Sequence, residues 1–170
     1  MKLSTPQLDL RLPEYGDQQW IYALNHDPLW LRFIGNRGVN SLLDAATYID
    51  NAIKHFETHG YGLFAIEDRL TGKALGMCGL INRGLFSAPD LGFALLPEAR
   101  GKGIGVEAGQ AVLRFAREVL NVDYLTAMTH ADNAASQKLL IKLGFIRQGE
   151  LFMPGLHGQQ FFWLDMKTPR

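Results

Sequence analysis

The segment that most narrows the possible folds is Arg100-Gly101-Lys102-Gly103-Ile104-Gly105. It follows a strand-like run, 90–96, that is closed by Pro97. It precedes a run in which Ile104, Ala108, Ala111, Val112, Phe115 and Val119 recur at helical spacing. A strand, a glycine-rich turn and a helix together make an anion site. The first amides of a helix have no intrahelical acceptor and sit at the positive end of its dipole. Glycines let the backbone curl and approach a phosphate with no Cβ in the way. Arg100 and Lys102 add positive charge. A plain strand-to-helix turn needs only two or three residues, so three glycines alternating with two cations exceed that simpler role. A pyrophosphate is the natural guest.

Two other phosphate motifs fit less well. A P-loop needs Lys and then Ser or Thr after its last glycine, whereas Val106 and Glu107 follow Gly105. Residues 103–108 do match the loose dinucleotide pattern G-x-G-x-x-A. That fold wants the first glycine at the strand end, but residues 97–100 intervene, and its acidic partner would have to be the late Asp132. A nucleotide-dependent oxidoreductase is therefore a distant alternative.

The rest of the chain reads as alternating short elements. Leu8, Leu10 and Leu12 mark a half-buried strand, and a helix from Asp17 to about Asn25 follows. Leu42, Ala46, Ile49, Ile53 and Phe56 form one face of a helix started by Ser41 and stopped by Gly60. Strands are expected at 61–67, 74–81 and 90–96, the first two joined by a polar turn containing Gly72. After the loop and its helix come a strand at 124–129, a short helix opened by Asn133 and ended by Gly144, and strands at 145–153 and 160–166. The expected fold is thus α/β (α+β): a mixed, mostly antiparallel sheet of about seven strands with helices on both faces, in one domain spanning 1–170.

Bulk properties exclude more than they assign. The 170 residues carry 17 Lys plus Arg and 17 Asp plus Glu, so no global field favours nucleic acid or an anionic membrane. Any anion must be held locally. No stretch approaches the ~20 apolar residues of a membrane span. Cys78 is the sole cysteine. It lies in an apolar run and reads as a small buried hydrophobe rather than a nucleophile. A cytoplasmic protein, monomer or homodimer, is expected.

Taken with its neighbours, the loop has a specific likeness. Arg100-Gly101-Lys102-Gly103-Ile104-Gly105 resembles the Arg/Gln-x-x-Gly-x-Gly/Ala signature of the GNAT N-acetyltransferase superfamily. Asn133-Ala134-Ala135-Ser136, Leu139-Leu140 and Lys142-Leu143-Gly144-Phe145 resemble that family's N-x-x-S…LGF segment. The opening residues 5–11 and the glycines at 72, 76 and 79 resemble the branch that acetylates ribosomal-protein N-termini. The resemblance implies the GNAT fold and an acetyl-CoA-dependent N-acetyltransferase acting on a primary amine, with no metal. A non-catalytic acyl-CoA sensor is the alternative within the same fold.

The resemblance also implies roles. Phe93, Leu95 and Leu96 would offer backbone groups to the pantetheine arm, with a free amide polarising the thioester carbonyl. Arg100, Gly101, Lys102, Gly103, Ile104 and Gly105 would hold the pyrophosphate. Asn133 would bond the arm, although a helix N-cap explains it equally well. Ser136, one turn on, would meet the departing thiolate; otherwise it is a polar residue on a helix surface. Asp90, at the start of the arm-bearing strand, is the first candidate for the base, with His130 and Glu150 as alternatives. Each of the three has an ordinary reading as a solvated or strand-end polar group. The acceptor would enter past Trp30, Phe33, Ile34, Tyr61 and the turn Pro154-Gly155-Leu156-His157. His55 and His59 flank Glu57 as H-x-E-x-H, which is not the H-E-x-x-H of a zinc helix, so a metal is not expected.

Overall fold

The computed structural model describes residues 1–167. Its sheet has eight strands: β1 (Lys2–Ser4), β2 (Leu8–Arg11), β3 (Leu63–Asp68), β4 (Ala74–Ile81), β5 (Asp90–Leu95), β6 (Tyr124–His130), β7 (Ile146–Met153) and β8 (Leu156–Asp165). They lie in the order β1-β2-β3-β4-β5-β6-β8-β7. All neighbours are antiparallel except β5 and β6. The mixed sheet matches expectation. A dinucleotide-binding fold does not, because it needs a parallel array and here β5 and β6, which flank the loop, are the single parallel pair in an otherwise antiparallel sheet.

Two short features escaped the sequence pattern. β1 makes eight strands rather than seven, its three residues being too few to show a period. Helix α2 (Pro28–Phe33) follows α1 (Gln18–Asn25) without a gap wide enough to read as a loop. Asp27 caps α2 by accepting from the amides of Leu29 at 3.1 Å and Trp30 at 3.2 Å, and Pro28 takes the first helical position. That Asp-Pro pair was a readable start signal. Asp17 does not cap α1 with its side chain. It takes both ends of the Arg11 guanidinium at 2.8 and 2.9 Å and the Trp20 indole at 2.8 Å. Arg11 also bonds Glu67 at 2.6 Å, so one cation ties β2 to α1 and β3.

Helix α3 (Leu42–His59) starts as expected: the Ser41 hydroxyl accepts from Asp44 N at 3.0 Å. It ends on Gly60 at φ 75°, the left-handed stop that glycine adopts freely. Its buried stripe begins at Ala45 and Ile49, whereas Leu42 lies exposed. Helices α4 (Ile104–Glu118) and α5 (Ala134–Lys142) complete the set.

Two apolar cores result. One joins Ile66, Leu80, Leu91, Ala108, Val112, Leu140 and Phe162 under α4 and α5. The other joins Ile21, Trp30, Ile49, Met77 and Leu96 under α1–α3. Among the described residues no helix is long and apolar enough to cross a membrane.

Candidate active site

The two parallel strands at the centre of the sheet touch at one point only. Asp90 pairs with Thr126, and Thr126 N donates to Pro89 O at 3.0 Å. Beyond that root β5 and β6 part. The burial of β5 records the gap: Asp90 and Leu91 are buried, but Gly92–Leu95 are only half-buried despite lying mid-sheet. Leu96 N donates to Leu75 O at 2.9 Å. With the two-residue alternation of an antiparallel ladder, this turns the amides and carbonyls of Leu91, Phe93 and Leu95 away from β4 and into the gap. Phe93 and Leu95 thus lie on the edge that faces the gap, the Leu95 carbonyl being taken by Arg100 Nε. Leu96 does not, since its amide is engaged by β4 and its side chain is in the core.

The gap leads to the glycine loop, and its glycines divide the work. Gly101 and Gly103 have φ of 71° and 78° with nothing near a built Cβ, so the backbone itself requires glycine there. Gly103 is the N-cap of α4, and the amides of Ile104 and Gly105 open the helix unpaired by geometry. Gly105 has a different reason to be glycine. A Cβ there would lie 2.3 Å from Leu139 Cδ1, and one at Gly109 would lie 2.5 Å from Leu143 Cδ1. The four-residue step is the same on both helices, so α4 and α5 run side by side in one direction. Both N-termini therefore point toward the same end of the gap, and both dipoles favour an anion there.

Arg100 departs from expectation. Its Nη2 pairs with Asp27 at 2.6 Å, and its Nε donates to Leu95 O at 3.2 Å. The guanidinium therefore links the end of β5 to the cap of α2. Burial pushes the Asp27 carboxyl up, but the bonds from Arg100 and from the α2 amides outweigh it and hold it below the usual carboxylate range. The loop's exposed cation is Lys102.

Asn133 is the N-cap of α5, its carboxamide oxygen accepting from Ser136 N at 3.2 Å. For a ligand this leaves its NH2 group and the second lone pair of the carboxamide oxygen. Ser136 is half-buried in the same first turn. Asp90, read from sequence as a strand-end group that solvent could reach, is 2% exposed. Arg83 Nε reaches its Oδ2 at 3.0 Å, and Oδ1 has no hydrogen-bond partner among the described residues. Burial pushes this carboxyl up to about 6 against the opposing pull of Arg83. The other base candidates are placed less well. His130 ends β6 with Nδ1 accepting from Asp132 N at 3.1 Å, and its ring lies 5.6 Å from that of Phe33. Glu150 is exposed on β7, the edge strand.

On the acceptor side, Trp30 is buried in the core and donates to Gly35 O at 3.1 Å. Phe33 lies beside the end of β6, its ring near that of His130, whereas Ile34 caps α2 and is exposed. Tyr61 stacks on His59, 5.7 Å between ring centroids. The β7–β8 turn is tighter than expected, since β8 resumes at Leu156, whose side chain lies outside the described residues. Among the described residues no group of three or more His, Cys, Asp or Glu is arranged to hold a metal. Cys78 is fully buried, and burial pushes its thiol up to about 12, far from a nucleophile's range.

Residues 7–146 match the acetyltransferase (GNAT) domain, and the chain belongs to that family of N-acetyltransferases. It is 26% identical over 152 residues to the uncharacterized N-acetyltransferase YoaA of Bacillus subtilis (strain 168), covering 88% of this chain and 85% of YoaA. Among solved structures it is similar to a ribosomal-protein-S5-alanine acetyltransferase from Vibrio fischeri, with a TM-score of 0.80 and 18% identity over 98% of this chain and 97% of that one. It is also similar to the spermidine N-acetyltransferase from Vibrio cholerae in complex with CoA and spermine, with a TM-score of 0.76 and 22% identity over 95% of this chain and 97% of that one.

Proposed function

We propose that this acetyltransferase moves the acetyl group of acetyl-CoA directly to the α-amine of a peptide. The observation that carries the reading is the open edge of β5, which runs straight into the α4 N-terminus. An extended amide-bearing chain can pair along that edge at Phe93 and Leu95 while its pyrophosphate reaches the amides of Gly101 through Gly105 and the Lys102 ammonium. The coenzyme bound by the spermidine acetyltransferase of the same fold supports this donor. The Asn133 NH2 group bonds the arm from the far wall, and Ser136 hydrogen-bonds the departing thiolate.

The choice of amine follows from proton affinity. The attacking amine must be neutral. A peptide α-amine titrates near ~8 and is partly neutral at pH 7, whereas a lysine-like amine near ~10.4 is almost wholly charged. Asp90, with its carboxyl near 6, is a modest acceptor. It suits the weaker amine, taking the proton directly or through one water. The likeness to a ribosomal-protein acetyltransferase agrees with a protein N-terminus.

The test is thiol release from acetyl-CoA across N-terminal Ala, Ser and Met peptides and a set of polyamines, with products weighed by mass spectrometry. Acetylated peptide at rates well above hydrolysis is expected. Binding of acetyl-CoA with no amine-dependent release would make the protein a sensor. Turnover of polyamines alone would overturn the α-amine choice.

A further inference from the structure

In the H-x-E-x-H run on α3 the first histidine is fully engaged by protein partners. His55 Nδ1 lies 2.9 Å from Tyr61 O, and its Nε2 accepts from Asn82 N at 3.0 Å. Those two partners define a neutral ring with its proton on Nδ1, since a carbonyl can only accept and an amide can only donate. His59 Nδ1 lies 3.5 Å from Asn82 Nδ2, and Glu57 is exposed. Asn82 in turn folds the chain after β4: its Oδ1 accepts from Gly84 N at 2.9 Å. The residue between these two anchored amides is Arg83, whose Nε reaches Asp90.

We propose that Arg83 is a positioning residue for acyl transfer, fixing Asp90 through Oδ2 alone and leaving Oδ1 free to receive the proton of the amine, with His55 holding the turn that carries it. The proposal rests on the reading of Asp90 as the proton acceptor. Three observations support it independently of that reading. First, the contact is made at Nε, so one carboxylate oxygen is engaged and the other is a buried acceptor with no partner among the described residues. Second, Asp90 sits at the root of the gap, where β5 and β6 last meet. By alternation it lies on the face of β5 shared with Ala94 and Leu96, under α1–α3 and opposite the face that packs on α4. Third, the turn bearing Arg83 is pinned from a separate element, α3, by the His55 ring.

Among the described residues, Arg83 is the charged group that acts on Asp90. The partners of Asp90 across the ladders, Ile81 on β4 and Thr126 on β6, carry no charge. His55 acts through Asn82 and does not touch the carboxylate. Removing the guanidinium therefore leaves burial unopposed at Asp90.

The experiment follows the Asp90 carboxyl carbon by NMR in full-length protein labelled with 13C-aspartate, using Asp90→Asn to assign the signal. It also measures the pH profile of kcat/KM for acetyl-CoA with an N-terminal Ala peptide. Arg83→Gln should move the Asp90 titration to higher pH by about one unit or more. The acid limb of kcat/KM should move with it, giving a several-fold loss at pH 6.5 that recovers by pH 8.5, with KM for acetyl-CoA unchanged. Arg83→Lys, which retains a charge but not the Nε geometry, should restore part of the shift. A titration unmoved in both Arg83 variants overturns the positioning role. A titration that moves while the kinetic limb stays, or an active Asp90→Asn, overturns Asp90 as acceptor and leaves the ion pair purely structural. Should Arg83→Gln fail to fold, the lysine variant supplies the same comparison.

Discussion

Gly105→Ala separates two explanations of the signature loop. A phosphate cradle needs Gly105 for close approach of the ligand; the structure needs it for close approach of α5. The added Cβ would sit 2.3 Å from Leu139 Cδ1 and 3.6 Å from Leu95 Cδ1. Only the first contact is impossible, and relieving it requires Leu139 to withdraw by more than about 1 Å, since apolar heavy atoms settle near ~3.5–4 Å. Leu139 is half-buried and presents the end of a flexible chain, so a new rotamer can absorb the shift. Overpacking costs about 1–3 kcal/mol, and this geometry belongs at the lower end. A helix gain of up to ~1 kcal/mol for Ala over Gly offsets part of it, though less than that in the first turn. The net expectation is a loss of about 1 kcal/mol, or roughly 2–4 °C in Tm for a domain of this size. Coenzyme affinity should fall less than threefold, because the Gly105 amide remains in place. The assay is urea and thermal unfolding alongside acetyl-CoA calorimetry, for Gly105→Ala, Leu139→Ala and the double variant. Contact predicts coupling: the double variant should be more stable than the sum of the single losses. Unchanged Tm with coenzyme binding abolished would refute the packing argument and return Gly105 to the phosphate.

Other residues give sharper contrasts. Gly103→Val puts a branched side chain at φ 78° at the α4 cap and should abolish measurable acetyl-CoA binding by calorimetry, while circular dichroism retains the fold. Ser136→Ala should lower kcat by about 10-fold or more with little change in KM for acetyl-CoA, read by thiol release in steady state. Asp27→Asn keeps a good N-cap but loses the ion pair with Arg100, so urea unfolding at pH 7 should show a loss of about 1–2 kcal/mol. Because the folded Asp27 carboxyl lies below its ordinary value, its contribution is present above pH ~4 and is lost as pH falls through the folded value. The stability difference between wild type and Asp27→Asn should therefore close in acid, which a pH series of unfolding curves checks.

Much of this molecule was legible where a local rule decides the outcome. Ser41, Gly60, Asn133 and the loop glycines stand at helix ends whose chemistry is written in one or two residues. The central strands announce themselves by apolar runs bounded by turns. What stayed hidden depends on partners distant in sequence. Asp90 reads as a strand-end charge until the fold buries it and the turn after β4 brings Arg83 onto it. Arg100 reads as a phosphate ligand until Asp27, 73 residues earlier, takes its guanidinium. Leu96 and Phe93 look equivalent in the sequence, and only the ladder to β4 shows which amides face the gap. The helix at Pro28–Phe33 is a milder case, since its Asp-Pro start was present but its six residues are too short to establish a period.

The ion pair between Arg100 and Asp27 limits how far the two halves of the reaction can be redesigned separately. Under the proposed function helix α2 carries Phe33 on the acceptor side, so it is an obvious segment to exchange when a new amine is wanted. Its cap is also the counter-ion of the donor loop. A transplanted helix lacking an acid at that position would release Arg100 from its partner, and selection for a new acceptor would be scored through an altered version of the proposed coenzyme site. Grafts on this scaffold should therefore begin at Pro28 and leave Asp27 in place.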